Sequence, residues 1–184
     1  MRTFIAIDIP AEAKMQLDRM ITGFKGLGGR VSWTKAKNLH LTVKFIGDFS
    51  EDKLEDLSTL LKDELRSIEP QQLSLSGLGA FPNIKKPRVL WVGVGQGKEW
   101  FVDLALKIDS ICKKLRIPRE KKKPSPHLTL GRVRDLKGCE KLLEDFSQAK
   151  FDYPEFAIGN ITIYRSDLSP QGAKYTVLEK ISFK

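Results

Sequence analysis

The pattern of apolar and polar positions divides the chain into two halves of similar design. In the first half, alternating apolar residues predict strands, and apolar residues spaced at i, i+3, i+4 and i+7 predict helices. The expected elements are a strand at 3–9, a helix from Pro10 to Phe24, a short strand at 31–33, a strand at 39–46, and a helix from a Ser50 cap to about Ile68.

The second half repeats the order of strand, helix and strand. Its expected elements are strands at 72–78 and 87–94, a helix at 98–115, a strand that carries His127, a helix at 139–146, and strands at 155–164 and 174–183. Two similar halves with no low-complexity linker between them predict an α+β fold, in which residues 1–184 form one bilobal domain.

The chain has two histidines, and both stand in the same local sequence. Residues 40–43 read His-Leu-Thr-Val, and residues 127–130 read His-Leu-Thr-Leu. Successive side chains on a strand point to opposite faces, so each histidine shares a face with the threonine two positions later. Strict alternation also places Lys44 on this polar face and Phe45 in the core. An imidazole that exchanges protons, beside a hydroxyl, suits a phosphate group.

A single histidine on a strand is more often a surface or core residue than a catalytic one, but the repeat changes the interpretation. The second histidine would share this context by chance with odds of roughly one in a hundred at ordinary residue frequencies. If the two halves are related by an approximate two-fold axis, the two histidines flank one substrate. Such a pair can act as general acid and base, and each role contributes about 10²- to 10⁴-fold.

Other chemistries lack their motifs. Cys112 and Cys139 do not have the spacing of a zinc or redox site, so we expect two buried thiols. No Gly-x-Ser-x-Gly, Walker-type or Gly-x-Gly-x-x-Gly motif occurs, and the glycines of 93–97 are expected in a loop. The histidine pair is therefore expected to work without a metal and without a cofactor.

Charge points to an anionic partner. The composition, with 41% hydrophobic and 30% charged residues, is that of a globular protein, and the net charge is +9. Residues 110–134 hold nine basic residues and one acidic residue, a local charge of +8. Such a segment attracts phosphates, although a solvated basic loop explains it equally well. With no export signal and no apolar stretch long enough to span a membrane, we expect a cytoplasmic protein.

Five segments of the chain together resemble the 2H phosphoesterase superfamily, and within it the RNA 2′,3′-cyclic phosphodiesterase family, also called 2′-5′ RNA ligases. The paired His-x-Thr motifs are that superfamily's signature, and the likeness covers nearly the whole chain. The segments are MRTFIAIDIP, NLHLTVKFIGDFSED, FPNIKKPRVLWVGV, PSPHLTLGRV and SDLSPQGAKYTVLEKISF.

The resemblance implies two pseudo-symmetric lobes with mainly antiparallel sheets, which line a central cleft and carry helices on the outside. It implies hydrolysis of the terminal 2′,3′-cyclic phosphate of RNA to a 2′-phosphate, with reversible 2′-5′ RNA ligation as a further activity. His40 would be the proton donor and His127 the proton acceptor, while Thr42 and Thr129 would hold phosphate oxygens. The implied partner is an RNA with a cyclic phosphate end, such as a tRNA fragment, and the implied state is a monomer.

The residues themselves do not assign acid and base. The denser cationic neighbourhood of His127 would lower its pKa, which agrees with a role as base. Arg132 could neutralise charge on the phosphate, but strict alternation turns it away from His127 unless a bulge occurs at Gly131. Trp33 and Phe81 are expected either to stack on bases or to pack in the core.

Three functions therefore stay open at this point. The first is the RNA cyclic phosphodiesterase. The second is a non-catalytic, basic RNA-binding module, and the third is a related hydrolase of small cyclic nucleotides. Dependence on the two histidines separates the first from the second, and preference for RNA over mononucleotides separates the first from the third.

Overall fold

Nine strands and four helices make up the computed structural model, which describes all 184 residues. In chain order they are β1 (Arg2–Asp8), α1 (Ala11–Lys25), β2 (Arg30–Trp33), β3 (His40–Asp48), α2 (Leu54–Leu65), β4 (Gln71–Phe81), β5 (Val89–Val94), α3 (Lys98–Lys114), β6 (His127–Asp135), α4 (Glu140–Gln148), β7 (Asp152–Ile158), β8 (Asn160–Ser169) and β9 (Gly172–Ser182). None of the helices is long and apolar enough to cross a membrane.

The strands form two antiparallel sheets that repeat one arrangement. The first sheet has the order β3-β1-β8-β9, and the second has the order β2-β6-β5-β4-β7. The four strands of the first sheet correspond in order to β6, β5, β4 and β7, and β2 is the extra strand. In each sheet, the strand that starts with a motif histidine pairs with the strand that precedes the first helix of its half. The predicted bilobal α+β fold is confirmed.

The helices cross between the two halves. Helix α3 follows a strand of the second sheet, yet its Trp100 packs edge-on against Phe183, the residue after β9, with ring centroids 6.0 Å apart. Helix α1 follows a strand of the first sheet, yet its Phe24 stacks on Trp33 of β2 at 6.2 Å. Both lobes consequently contribute to one hydrophobic cluster of 36 buried residues.

Both motif strands contain a β-bulge at the fourth position of the motif. In β3, Thr42 pairs with Ala6 and Lys44 pairs with Ile5, so Val43 is the extra residue. In β6, Thr129 pairs with Trp91 and Gly131 pairs with Leu90, so Leu130 is the extra residue. The bulge needed to turn Arg132 is therefore present, one residue earlier than Gly131.

The bulge in β3 corrects the expectation from strict alternation. Lys44 is 2% exposed and belongs to the core side, whereas Phe45 is 44% exposed and lies on the face of His40 and Thr42. Alternation failed because an extra residue shifts every following side chain to the other face.

Three predicted elements differ from the observed ones by more than two residues. Ser50 does not cap a helix: its hydroxyl donates to Asp52, a 3₁₀ turn follows, and α2 ends at Leu65. Strand β4 runs on to Phe81. The single strand expected at 155–164 is two strands, because the chain crosses from the second sheet to the first at Gly159. The remaining elements begin and end within two residues of the prediction.

Candidate active site

A cleft of about 1150 Å³ lies where the two motif strands approach each other. Thr42 of the first motif and His127 of the second both line it. Its other walls come from helix α3, from the loop between β4 and β5, and from the basic segment before β6. Residues of both motifs thus line the same cleft, whereas His40, Thr129 and Arg132 are not among its lining residues.

Both histidines are oriented by the same contact, between Nδ1 and the carbonyl oxygen two residues earlier in the chain. The Nδ1 atom of His40 lies 2.6 Å from the carbonyl oxygen of Asn38, and that of His127 lies 2.7 Å from the carbonyl oxygen of Ser125. Since a carbonyl oxygen can only accept, Nδ1 carries the proton in each neutral ring, and Nε2 is the nitrogen that can take up a second proton. In His40, Nε2 lies 3.0 Å from the hydroxyl of Thr42, which confirms that the two side chains share a face.

Aromatic side chains surround each imidazole. His40 stacks on Phe4 with ring centroids 4.9 Å apart, and Tyr175 of β9 approaches it edge-on at 5.4 Å. His127 meets the edge of Phe81 at 4.9 Å, and Phe81 in turn packs against Trp91. These contacts restrict the rotation of both rings and remove them from water.

Burial is the main influence on both titrations. It lowers the pKa of His40 from 6.5 to about 4, against the smaller opposing effects of the Asn38 carbonyl and the Asp8 carboxylate. Burial likewise lowers the pKa of His127, opposed by the Ser125 carbonyl and assisted by the Arg132 guanidinium. Both imidazoles are therefore neutral at pH 7 in the free protein. Cationic neighbours were expected to lower the pKa of His127, and they do so less than burial does.

Arg132 lies on the cleft side of β6, on the face of His127 and Thr129. Its position follows from the bulge, and its charge acts on the pKa of both His127 and Tyr175. Because Tyr175 also touches His40, Arg132 lies close to the surroundings of both histidines. The half-buried Thr129 forms no hydrogen bond to the protein through its hydroxyl, which leaves that group free for a ligand.

A second polar group supports His40 from β1. Asp8 pairs with His40 across the strands, and the hydroxyl of Tyr164 donates to its carboxylate at 2.8 Å. Burial and the hydrogen bond to Asp8 raise the pKa of Tyr164 well above its ordinary value, so the phenol stays protonated. The alternation of β1 places Phe4 and Asp8 on one face, but no local signal in the sequence points to Tyr164 or Tyr175 in the closing hairpin.

Lys44 ties the first motif strand to the basic segment of the second half. Its ammonium lies 2.8 Å from a carboxylate oxygen of Asp109 on α3 and donates to the carbonyl of Pro118 at 2.7 Å. The backbone N–H of Glu120 donates to the same Asp109 oxygen at 3.1 Å. This cluster anchors the loop that leads to Ser125, whose carbonyl orients His127.

The remaining predicted residues divide between site and core. Phe45 and Phe81 line the cleft. Trp33 packs in the core against Phe24. Cys112 and Cys139 are buried and unpaired, as expected, and burial raises the pKa of Cys112 to about 11. No three histidine, cysteine or acidic side chains lie close enough together to hold a metal ion.

Known proteins match the chain over nearly its full length. The profile of the 2′-5′ RNA ligase superfamily matches residues 21–170. A protein of Methanocaldococcus jannaschii named RNA 2′,3′-cyclic phosphodiesterase is 35% identical over 181 residues, which cover 98% of this chain and 99% of that protein.

Two solved structures extend the comparison to the fold. A protein of Thermus thermophilus superposes with a TM-score of 0.82 at 30% identity, covering 99% of this chain and 97% of that one. Escherichia coli LigT in complex with 3′-AMP superposes with a TM-score of 0.76 at 25% identity, with the same coverage of both chains.

Proposed function

The chain belongs to the 2′-5′ RNA ligase superfamily, and we propose that it hydrolyses the terminal 2′,3′-cyclic phosphate of RNA to a 2′-phosphate, with His40 and His127 as its acid–base pair. The observation that carries the proposal is the pair of His-x-Thr strands, whose Thr42 and His127 line one cleft and whose imidazoles both bind a backbone carbonyl through Nδ1 and leave Nε2 unprotonated. The similarity to RNA 2′,3′-cyclic phosphodiesterases supports the choice of substrate.

The reaction needs a proton acceptor and a proton donor on opposite sides of phosphorus. A water oxygen attacks phosphorus and gives up a proton to Nε2 of His127. The bond from phosphorus to the 3′ oxygen breaks, and His40 donates a proton to that oxygen. The product carries a 2′-phosphate and a 3′-hydroxyl. Attack and departure in line require two groups that face each other, which suits two strands related by a pseudo-two-fold axis.

The hydroxyls and the guanidinium would hold the phosphate. Thr42 and Thr129 each stand two residues after a histidine and can donate to non-bridging oxygens. The positive charge of Arg132 can neutralise the charge that builds up on these oxygens in the transition state. No step of this scheme needs a metal ion or a cofactor.

Neighbouring charges favour His40 as the acid. The Asp8 carboxylate raises the pKa of His40, whereas the Arg132 guanidinium lowers that of His127. Burial opposes a charged His40 in the free protein, since its pKa is about 4. A phosphate anion bound against Nε2 stabilises the imidazolium and raises this pKa in the complex. The donor role of His40 therefore depends on the substrate as well as on the protein.

Two alternatives have specific support. The basic segment alone would suit a non-catalytic RNA-binding protein, and a cleft of this kind would also admit a small cyclic nucleotide. RNA ligation through 2′-5′ linkages is the same displacement at phosphorus, with a ribose hydroxyl in place of water as the nucleophile. A tRNA fragment as substrate, a monomeric state and a cytoplasmic location stay predictions.

The first experiment is a product assay. The protein is incubated with EDTA and a short RNA that ends in a 2′,3′-cyclic phosphate, and the product is identified by its mass and its resistance to a 3′-specific phosphatase. We expect a 2′-phosphate, and none with His40→Ala or His127→Ala. Binding of the RNA without turnover by the wild type would overturn the enzymatic proposal in favour of a binding protein.

A second substrate tests which histidine is the acid. Sulfur in place of the 3′ oxygen makes a leaving group that departs without a proton. We expect this substrate to restore turnover by His40→Ala but not by His127→Ala. Restoration in His127→Ala alone would reverse the two roles.

A further inference from the structure

The loop between α3 and β6 carries the carbonyl that orients His127, yet it makes few hydrogen bonds. It covers residues 115–126 and contains three prolines, which have no backbone N–H to donate. From Pro118 to the end of the loop, no residue forms a hydrogen bond with another backbone group. The polar contacts of this part with the elements before it all go to two side chains, Lys44 and Asp109. These two side chains therefore fix where the loop lies.

Lys44 reaches the loop from the other half of the chain. The bulge of β3 turns its side chain inward, where it is 2% exposed although it contributes to the floor of the cleft. Its ammonium faces three oxygens: the carbonyl of Pro118 at 2.7 Å and carboxylate oxygens of Asp109 at 2.8 Å and of Glu120 at 3.8 Å. These partners leave the ammonium engaged within the protein. Because Lys44 is four residues after His40, one strand carries the first histidine and holds the loop of the second.

Stability alone does not account for a buried charge at this place. An apolar pair of similar volume is often at least as stable as a buried ion pair, because no charge has to leave water. The residue after the bulge in β6 is Gly131, so the shared arrangement of the two motif strands does not require a charge. What an ammonium adds is direction: it binds the Pro118 carbonyl, and it holds the Asp109 oxygen that accepts from the Glu120 N–H at 3.1 Å.

We propose that Lys44 is a positioning residue for His127. Through Pro118 and Asp109 it holds the loop in the place where the carbonyl of Ser125 binds Nδ1 of His127, 2.7 Å away. That bond fixes both the ring orientation and the tautomer with Nε2 unprotonated. The catalytic consequence rests on the proposed function, whereas the orientation of the ring is a property of the free protein and can be tested separately.

The first test needs no substrate, because the chain has only two histidines. Nitrogen-15 labelling of histidine gives four ring resonances, whose chemical shifts separate a protonated from an unprotonated nitrogen, and His127→Gln assigns them. At about pH 8 both rings are neutral. We expect the Nδ1–H tautomer for both in the wild type. Lys44→Met/Asp109→Leu, which leaves no charge of this pair buried alone, should mix the two tautomers of His127 and leave those of His40 unchanged.

The second test measures turnover of a nucleoside 2′,3′-cyclic phosphate. Lys44→Met/Asp109→Leu should lower kcat by about 10- to 10²-fold, because a misplaced general base reacts slowly, while KM changes less. With sulfur in place of the 3′ oxygen, this variant should respond as His127→Ala does and not as His40→Ala does. This comparison holds whichever histidine is the acid. Circular dichroism and urea denaturation show that the variant is folded under the assay conditions.

The control removes another ion pair of the same helix. Lys114 at the end of α3 lies 2.6 Å from Glu64 of α2 and does not contact the loop from Pro118 onward. Lys114→Gln/Glu64→Gln should keep the wild-type tautomers and the wild-type kcat.

Three results would overturn the role of Lys44. They are a wild-type tautomer of His127 in Lys44→Met/Asp109→Leu, a loss confined to KM, and recovery with the sulfur substrate in the manner of His40→Ala. The second would make Lys44 a substrate-binding lysine, and the third would place the defect at the first histidine. A wild type without turnover would instead overturn the proposed function, and the tautomers would still decide whether Lys44 orients His127.

Discussion

His40 at the start of β3 lies opposite Asp8 of β1, whereas His127 at the start of β6 lies opposite Gly93 of β5. The imidazole of His40 therefore has a carboxylate beside it, and that of His127 has none. This is the first chemical difference between the two motif strands. Gly93 is also required sterically, since a Cβ there would lie 2.8 Å from the carbonyl oxygen of Ser76. The second sheet has no room for a counterpart of Asp8.

The bulges carry two further differences. After each extra residue, β3 turns Lys44 inward and Phe45 toward the cleft, whereas β6 turns Gly131 inward and Arg132 toward the cleft. The features that both strands share, the motif and the backbone carbonyl bound at Nδ1, fix the orientation of each imidazole. The residues around them determine what each histidine does. A pseudo-symmetric site of this kind divides its roles through the neighbours of the two histidines rather than through the motif.

The largest effect should come from removing either histidine. His40→Gln and His127→Gln should each lower kcat by about 10²- to 10⁴-fold, because each deletes one proton transfer. Steady-state assays with the cyclic mononucleotide measure this, and circular dichroism checks that both variants fold. If one variant keeps a tenth of the activity, the two motifs are not a catalytic pair.

Loss of the Lys44 charge should be the largest effect on stability. Lys44→Met removes the ammonium 2.8 Å from the partly buried Asp109, which then keeps only the Glu120 N–H and Arg119 at 3.8 Å, and it should lower the free energy of unfolding by about 3 kcal/mol. Urea denaturation measures it. Lys44→Met/Asp109→Leu should recover most of the loss, since an apolar pair of similar size carries no charge to bury. A double variant less stable than the single one would contradict this account.

The corresponding position of β6 should respond for a different reason. Gly131→Ala introduces a Cβ that would lie 2.8 Å from Val31 Cγ1 and 2.9 Å from Trp33 Cε3. Overpacking of this kind costs about 1–3 kcal/mol in the free energy of unfolding. Urea denaturation of this variant and of Lys44→Met compares two losses of stability, one steric and one electrostatic. The two positions correspond, because each follows the bulge residue of its motif strand. An unchanged midpoint would show that β2 moves away without cost.

Arg132 tests whether the cleft-facing position of β6 is catalytic. Arg132→Gln should lower kcat for the cyclic mononucleotide by about 10²-fold, because the transition-state charge loses its partner. Arg132→Lys should retain part of the activity, since it keeps the charge without the planar fork. An effect on KM alone would make Arg132 a binding residue only.

The smallest expected effect is on the pH profile. The pKa values of both histidines lie below 6.5, so above that pH both are neutral and the acid is lost. At sufficiently low pH His127 is protonated as well, below its own lowered pKa, and the base is lost. The value of kcat/KM, which reports the free enzyme, should therefore peak between these limits. Asp8→Asn should move the peak to lower pH, and a peak above pH 7 would contradict the assignment.

Local periodicity predicted more of the fold than of the site. The helices α1 and α3 and most strands follow from spacings within one segment, and the face shared by His40 and Thr42 follows from the two-residue repeat of a strand. The division of residues 152–169 into two strands at Gly159 could not be predicted in this way. Both sides of that glycine have strand periodicity, and they differ only in the sheet with which they pair.

The sequence by itself determined that two histidines occupy equivalent places on two strands, because a repeated motif inside a repeated pattern of elements needs no knowledge of contacts. The tertiary structure alone decided the rest of the site. Bulges depend on the pairing of strands far apart in the chain, and they moved Lys44, Phe45 and Arg132 to their faces. The pKa of His40 is lowered by burial, and part of that burial comes from Tyr175, which is 135 residues away in sequence and reaches His40 only in the folded chain.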